Sequence, residues 1–422
     1  MKRGFTLIEL LTVIAIIAIL AIVVVLTINP AALLQQSRDA TRVSDTGTIN
    51  KAVSLYYQDA MANPSTLFMG TSSIVYVSVP DPTATSTAGD QCQGLSLPAL
   101  PTGYTYQCAA TSTYMKTNGT GWIPINFASY SAGSVISKLP VDPINTTSTN
   151  LYYTYETDGI GGFKVAAFFE SQKYASQMAS DGGNDPELYE KGSNLALASG
   201  RGLVGYWPMN EGTGSSTIDY SGSNATGTWN GSTTAGSYYA TGKVGPYAGI
   251  FNGATTYVSI PYSANLNSSN FTVSAWVNIT AYNTKSVYYP VGTCGAGACT
   301  AANGWGLGVN GTFGSGVGTG CVEGDIYLAS FPAGGAVCTL SNTIPTNTWS
   351  LITATYNAGS VILYINGVQK GSGVLTITKN TSLAETIGVS NAWYFPGSID
   401  DIRFYGRALS AAEVQEMYNA EH

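Results

Sequence analysis

Residues 5–28 constrain this chain more than any other segment does. From Phe5 to Ile28 every residue is apolar except Thr6, Glu9, Thr12 and Thr27, a run of 24 residues. At about 1.5 Å per residue, a helix of that length spans a hydrocarbon core about 30 Å thick. Met1-Lys2-Arg3-Gly4 precedes the run as a short basic leader. Positive charge stays on the cytoplasmic side, so the bulk of the chain is expected to be exported. An ordinary secretory signal would place a small-residue cleavage site after the apolar run, and none stands out here. Gly4 lies before the run instead. Glu9 then needs a reason, because a carboxylate at the centre of a membrane helix costs up to ~3 kcal/mol. It either snorkels to the headgroups or meets a cation.

Composition narrows the chemistry. The single histidine is His422, so no Ser-His-Asp or Cys-His unit and no histidine zinc site can be built. Charged residues make up 10% of 422, and the formal net charge is −7. Such a chain is a poor match for phosphate-backbone contact, and no nucleic-acid partner is expected. Abundant Gly, Ser, Thr and Tyr suit a protein that works outside the cytoplasm.

Gly4-Phe5-Thr6-Leu7-Ile8-Glu9 resembles the class III signal of type IV pilins and pseudopilins. The resemblance implies that prepilin peptidase cuts between Gly4 and Phe5 and that the new N-terminal Phe5 is methylated. It also implies that Glu9 pairs with the terminal amine of a neighbouring subunit during filament assembly. The physics agrees: in a low-dielectric bundle the cost of Glu9 is offset only when a partner ammonium docks. Removing Lys2 and Arg3 with the leader takes the side-chain charge from −7 to −9.

After the membrane run, Asn29-Pro30 is expected to break or kink the helix. The helical pattern resumes through Ser37-Arg38-Asp39-Ala40-Thr41-Arg42 towards Tyr57. Ile49, Val53, Tyr56 and Tyr57 form one stripe at three- and four-residue spacing, and Gly47 weakens the helix without forbidding it. Residues 63–190 are expected to form a small pilin-like α+β head packed on it. Strands are predicted at Ser73–Val79, Leu151–Tyr155 and Phe163–Phe169. Leu139-Pro140-Val141-Asp142-Pro143 resembles the proline-flanked loop before the last strands of many pseudopilins. Glu156-Thr157-Asp158 falls at a predicted hairpin turn and reads as solvated turn acids.

Six cysteines in an exported chain suggest disulfides. They fall as near neighbours: Cys92 with Cys108, Cys294 with Cys299, and Cys321 with Cys338. The sequence does not fix connectivity. Local pairing is the expectation, and the spacings do not fit paired CxxC zinc knuckles.

Residues 191–202 read as a linker, and 203–422 as one large β domain. Strands are predicted at Leu203–Trp207, Tyr257–Ile260, Phe271–Val277, Trp349–Tyr356 and Val361–Ile365. Asn366-Gly367 signals a two-residue hairpin turn. Alternating strands punctuated by Gly, Asn and Ser argue for an antiparallel two-sheet sandwich. Ser410-Ala411-Ala412-Glu413 is a capping box, which predicts a short closing helix towards Tyr418.

An ordered series of short motifs runs through this half. It begins with Gly202–Trp207, Asn210-Glu211-Gly212, Asp219–Gly222, Phe251-Asn252-Gly253 and Phe271–Val277. Tyr364–Gly367, Gly397–Tyr405 and Arg407–Ser410 complete it. The series resembles laminin-G-like members of the concanavalin A-like jelly-roll superfamily. That resemblance implies loops that bind a glycan or protein, and often a structural calcium. Carried over, the calcium positions are Asp219 and Asp400, with Asn224 and Asp401 as weaker ligands. In the alternative, Asp219 bonds turn amides and Asp400 anchors Arg403 or Arg407. Trp305, Trp393 and Tyr394, and also Trp229, could offer sugar-stacking faces or pack inside. The carboxylate strand motif of the glycoside hydrolases of this fold is missing. Asp400 and Asp401 would point to opposite faces of a regular strand, so no enzyme is expected.

The resulting fold class is multidomain: leader 1–4, membrane and filament helix 5–62, pilin-like α+β head 63–190, linker 191–202 and all-β jelly roll 203–422. The expected function is a filament subunit that displays a jelly roll for adhesion to a surface glycan or protein. Its partners are other pilin subunits, prepilin peptidase and, before assembly, the membrane. The precursor would sit in the cytoplasmic membrane and the mature chain in an extracellular filament. The alternatives are a minor tip pseudopilin of a secretion or DNA-uptake machine, and a structural decoration without a ligand.

Overall fold

The computed structural model describes all residues except 1–6, 28, 62–66, 85–91, 99, 101–103, 130–132, 184, 186, 196, 198–201, 222, 235, 264, 283–286, 294–302, 311–320, 332–334, 380–382 and 422. Pro30 decides where the first helix stops. α1 (Leu7–Thr27) and α2 (Pro30–Ala60) meet around Asn29. At the first position of a helix, proline lacks only an N–H that would have no partner there. The Asn29 side chain caps α2 by accepting from the Ala32 N–H at 3.3 Å. Gly47 passes through the middle of α2 without a break.

The head is a five-stranded sheet laid against α2. Its strands are β1 (Ile74–Asp81), β2 (Thr105–Ala110), β3 (Tyr153–Thr157), β4 (Phe163–Ala167) and β5 (Tyr189–Gly192), in the spatial order β2-β1-β3-β4-β5. β5 runs two residues into the segment read as linker. A short helix, α3 (Gln172–Ala179), precedes it. The expected stripe is the one that packs: Ile49, Val53 and Tyr56 are buried against Tyr153, Tyr155 and Val165. Alternation along the strands then sends Thr154, Glu156 and Lys164 to the opposite face.

From Leu203 the described elements are strands, apart from one 3-10 turn at Asn265–Asn267, until the last helix. The first six are β6 (Leu203–Trp207), β7 (Ser216–Thr217), β8 (Gly227–Asn230), β9 (Tyr239–Thr241), β10 (Tyr247–Asn252) and β11 (Tyr257–Ile260). Next come β12 (Phe271–Ile279), β13 (Val287–Gly292), β14 (Gly304–Asn310), β15 (Asp325–Phe331) and β16 (Ala336–Thr343). β17 (Ser350–Asn357), β18 (Ser360–Ile365), β19 (Val368–Val374) and β20 (Glu385–Ile387) follow. β21 (Val389–Ser390), β22 (Trp393–Tyr394), β23 (Pro396–Tyr405) and α4 (Ala411–Glu421) end it.

Two eight-stranded sheets result. One runs β19-β18-β17-β12-β23-β10-β9, with β6 also on β23; the other runs β16-β15-β14-β13-β20-β11-β8-β7. The core lies between them, with Val273, Ala275 and Val277 of β12 facing Leu307, Val309, Ile326 and Leu328. The Asn366-Gly367 turn closes Ile365 onto Val368, both turn residues holding positive φ, as such a hairpin requires. The capping box forms as well: Glu413 Oε2 accepts from the Ser410 N–H at 2.8 Å, and Ser410 Oγ accepts from the Glu413 N–H at 3.3 Å.

The head and the jelly roll touch. α4 covers the outer face of the first sheet, packing Val414 and Met417 on Trp276, Leu351, Tyr364 and Tyr405. At its margin Glu187 of the head accepts from the Tyr405 hydroxyl at 2.8 Å and lies 3.6 Å from Arg403. Asn150 donates to Glu413 at 3.1 Å, and Gln172 to the Asn419 carbonyl at 3.3 Å. A cavity of about 270 Å³ remains beside this junction, lined by Gln35, Leu151, Phe168, Glu416 and Asn419 among others.

Candidate functional site

The first helix leaves its described apolar side chains uncovered by the rest of the chain. On α1 the large apolar side chains from Leu7 to Ile17 are exposed, Leu7 at 79% and Ile17 at 58%. Burying such side chains stabilises by about 1.5–3 kcal/mol each, so this face has strong reason to find lipid or other subunits. Glu9 lies on the same exposed helix. Gly4 and Phe5 lie outside the described residues. Among the described residues no helix is long and apolar enough to cross a membrane; the side chains described on α1 end at Ile17.

Behind that segment α2 is clamped to the head by charge that sequence reasoning missed. Arg42 is fully buried and donates to Asp142 through Nε at 2.6 Å and Nη2 at 3.0 Å. Its Nη1 donates to Asp39 and to Glu170, each at 2.7 Å. Arg38 grips Glu170 from the same helix at 2.6 and 2.7 Å. Burial pulls the Arg42 pKa down, but Asp142, Glu170 and Asp39 outweigh it and hold the pKa above the usual arginine value. The sequence showed only charges in a helix; their partners lie 100 and 128 residues away.

Two of the expected disulfides are present. Cys92–Cys108 and Cys321–Cys338 close at Cα distances of 5.2 and 5.9 Å. Cys294 and Cys299 lie outside the described residues.

The aromatic candidates separate. Trp305 is 3% exposed and stacks on Phe271 at 4.8 Å inside the sandwich, so it offers no face to a ligand. Trp229 is likewise core, stacked on Tyr238 at 4.8 Å. Trp393 and Tyr394 are half-buried on β22, next to the tight turn Asn391-Ala392, whose φ values are 51° and 62°. Tyr394 meets Tyr257 edge-on at 6.2 Å. Trp393 leans on the cluster of Tyr289, Tyr327 and the Cys321–Cys338 bridge. Of the four aromatic candidates, Trp393 and Tyr394 keep partly exposed faces and form a short rim with Tyr257.

The residues named for calcium serve other partners. Both oxygens of Asp219 accept backbone amides: Oδ1 from Tyr206 and Ser221 at 3.0 and 2.9 Å, Oδ2 from Ala225 at 2.9 Å. Asn224 is exposed and supplies a left-handed turn with φ 56°. Asp400 Oδ2 accepts from Lys243 and Val244 at 2.7 and 2.9 Å, tying down the turn between β9 and β10. Burial pushes the Asp400 carboxyl up to about 7. Asp401, rather than Asp400, anchors Arg403 at 2.7 Å, while Arg407 pairs with Glu413. Asp219, with both oxygens turned towards N–H donors, does not suit a hard cation that needs several oxygen ligands, whereas Asp400 Oδ1 is buried with no hydrogen-bond partner among the described residues. Among the described residues no group of three or more His, Cys, Asp or Glu side chains gathers as a metal site.

β23 is also not the regular strand assumed for Asp400 and Asp401. Its pairing with β12 shifts register between Ser274 and Trp276, and Asp401 has φ 47°. The irregularity leaves both carboxylates buried, each with its own partners. Glu156 is 2% exposed inside β3, not a solvated turn acid, and burial pushes it up to about 7. Asp158 alone is at the turn, accepting from the Ile160, Gly161 and Gly162 amides.

Comparison with known proteins places both ends of the chain. Residues 1–25 match the prokaryotic N-terminal methylation motif, and residues 252–415 match the concanavalin A-like lectin/glucanases superfamily. The chain joins a type IV pilin motif to a concanavalin A-like domain. No curated protein matches the chain. Among solved structures it is similar to domain 4 of AbnA, an extracellular arabinanase from Geobacillus stearothermophilus in complex with arabinotriose. The identity is 24% over 51% of this chain and 98% of that one, with a TM-score of 0.40. It is also similar to the binding domain of Paraclostridial Mosquitocidal Protein 1, at 20% identity over 52% of each chain and a TM-score of 0.39. The receptor binding domain of botulinum neurotoxin type G gives 19% identity over 51% of each chain and a TM-score of 0.36. The chain thus spans about half the length of these two toxin domains.

Proposed function

We propose that this chain is a subunit of a type IV pilus-like filament that displays its jelly roll for adhesion to a surface glycan. The observation that carries the reading is the joining, in one chain, of the methylation motif and a concanavalin A-like domain. In this reading prepilin peptidase cuts after Gly4, Phe5 is methylated, and Glu9 meets the amine of a neighbour. The exposed apolar face of α1 passes from the membrane into the filament core. α4 covers part of the outer face of the first jelly-roll sheet, and the head meets its margin through Glu187. The half-buried Tyr257–Trp393–Tyr394 rim lies on the second sheet and its margin, away from the sheet that meets the head. Binding is proposed, not bond cleavage.

The test has two arms. Mass spectrometry of the mature N-terminus should find a methylated Phe5; an intact Met1 in surface filaments would defeat the pilin assignment. Filaments on a glycan array should bind, and Trp393→Ala with Tyr394→Ala should lower affinity at least tenfold, the loss of a central aromatic contact. Unchanged binding in that double variant would remove the rim from the reading.

A further inference from the structure

The head holds a row of charged side chains that neither adhesion nor assembly uses. Glu156 on β3, Lys164 on β4 and Glu190 on β5 lie on three adjacent strands. Glu156 is the direct cross-strand neighbour of Lys164. Glu190 pairs with Ala166, two residues along from Lys164, so all three share the face turned away from α2. They are 2%, 0% and 0% exposed. Lys164 Nζ is 2.7 Å from Glu190 Oε1 and donates to the Leu197 carbonyl at 2.6 Å. Glu190 Oε2 accepts the Asp185 N–H at 3.0 Å. Neither oxygen of Glu156 reaches a hydrogen-bonding partner among the described residues. Asp185 is the other carboxylate acting on the group, and it accepts the Glu187 N–H at 3.1 Å.

We propose that Lys164 and Glu190 condense into an intramolecular isopeptide bond with loss of one water, Glu156 carrying the proton between them. Held ion pairs of this kind are costly to bury, and a neutral amide removes that cost. Fixing amine and carboxyl on paired strands also supplies effective molarities on the order of 10⁵–10⁸ M.

The proton on Nζ first passes to Glu190 Oε1, giving an amine and a neutral acid. Burial favours this transfer by pushing Glu190 up to about 8, although its neighbouring carboxylates raise the Lys164 pKa against it. The Nζ lone pair then attacks Cδ of Glu190, and the C–N bond forms. Negative charge collects on Oε2, under the Asp185 N–H. Glu156 accepts a second proton from Nζ and delivers it to Oε1; the Cδ–Oε1 bond breaks and water leaves. With a pKa pushed to about 7, Glu156 suits both halves of that transfer. No oxidant or cofactor is needed. The product keeps the bonds its atoms already make: the remaining N–H faces the Leu197 carbonyl and Oε2 faces the Asp185 amide. A link from β4 to β5 would stop the last head strand, which leads into the jelly roll, from peeling off under load. That mechanical use rests on the filament reading; the bond itself does not.

The full chain, purified in detergent, reduced, alkylated and digested, decides it. Expected is one species joining the Lys164 and Glu190 peptides, lighter than their sum by one water, with no cleavage after Lys164. Separate unmodified peptides in the wild-type chain would overturn the proposal, as would a link from Lys164 to Glu156 or Asp185. Glu156→Gln should leave the two peptides unjoined while the Cys92–Cys108 bridge still forms. A wild-type yield of the link in Glu156→Gln would remove Glu156 from the proton path.

Discussion

Replacing Arg42 with methionine tests the strongest structural claim about how α2 carries the head. The change keeps a long side chain in the helix and removes four hydrogen bonds to three carboxylates. Breaking a buried ion pair from one side typically costs about 3–5 kcal/mol. The lower end applies here, because each carboxylate keeps other donors. Asp39 retains the Ser171 amide and hydroxyl at 2.8 and 2.5 Å, Asp142 retains the Ile144 amide at 2.8 Å, and Glu170 retains Arg38. About 3 kcal/mol is therefore expected, or roughly 6–12 °C in Tm for a unit of this size.

The sign with pH follows from the same residues. In the wild type the Glu170 pKa is lowered: burial raises it, but Arg38 and Arg42 more than offset that. Its contribution is present above the ordinary carboxylate range and fades as pH falls through its folded pKa. In the variant Glu170 loses Arg42, one of the two cations that hold its pKa down, and so gains more from protonation; the deficit should shrink between pH 7 and pH 4. Hydrogen exchange read on head peptides of the full chain, in detergent at both pH values, measures this directly. A deficit under about 1 kcal/mol, or one that does not change with pH, would refute the reasoning, since exposed pairs give no more than that.

Three further outcomes are expected. Glu385 is 2% exposed and burial pushes it up to about 8, well above the unfolded value of about 4.3. Its neutral form favours folding at low pH and that favour is lost as pH rises, so Glu385→Gln should gain Tm over wild type progressively between those two values; parallel pH curves would count against it. Cys321→Ser with Cys338→Ser opens a loop of sequence separation 17 and should cost about 3 kcal/mol, seen as a lower Tm under non-reducing conditions while the Cys92–Cys108 bridge stays closed. An unaltered Tm would contradict that bridge. Glu187→Ala removes the contacts to Tyr405 and Arg403, and calorimetry should then resolve head and jelly-roll unfolding into separate transitions. A single unshifted transition would show that Glu187 is not what couples them.

Several elements were legible because local rules fix them. β6 and β11 begin and end where alternation placed them, Asn366-Gly367 makes the hairpin, and Ser410 and Glu413 cap the last helix. Pro30 starts α2 as its missing N–H demands. The same local logic failed at Glu156, whose place beside a turn concealed that β3 runs to Thr157 and is covered on both faces. At Trp305 it left stacking face and core packing both open, since an aromatic in a strand does not announce which face is inside. Asp400 and Asp401 needed the register shift against β12 before their partners could be assigned.

By itself, then, the sequence determined what depends on neighbours in the chain: the apolar N-terminal run with Glu9, the methylation motif, the helix break, the sandwich class and the close-lying cysteine pairs. Tertiary structure alone decided what depends on residues brought together from far apart. It set Arg42 on Asp142 and Glu170, Glu187 on Tyr405, and Glu156, Lys164 and Glu190 in one buried row. The reason is physical. Propensity and turn chemistry act over a few residues, whereas the value of a charge is set by burial and by partners that only the folded chain supplies.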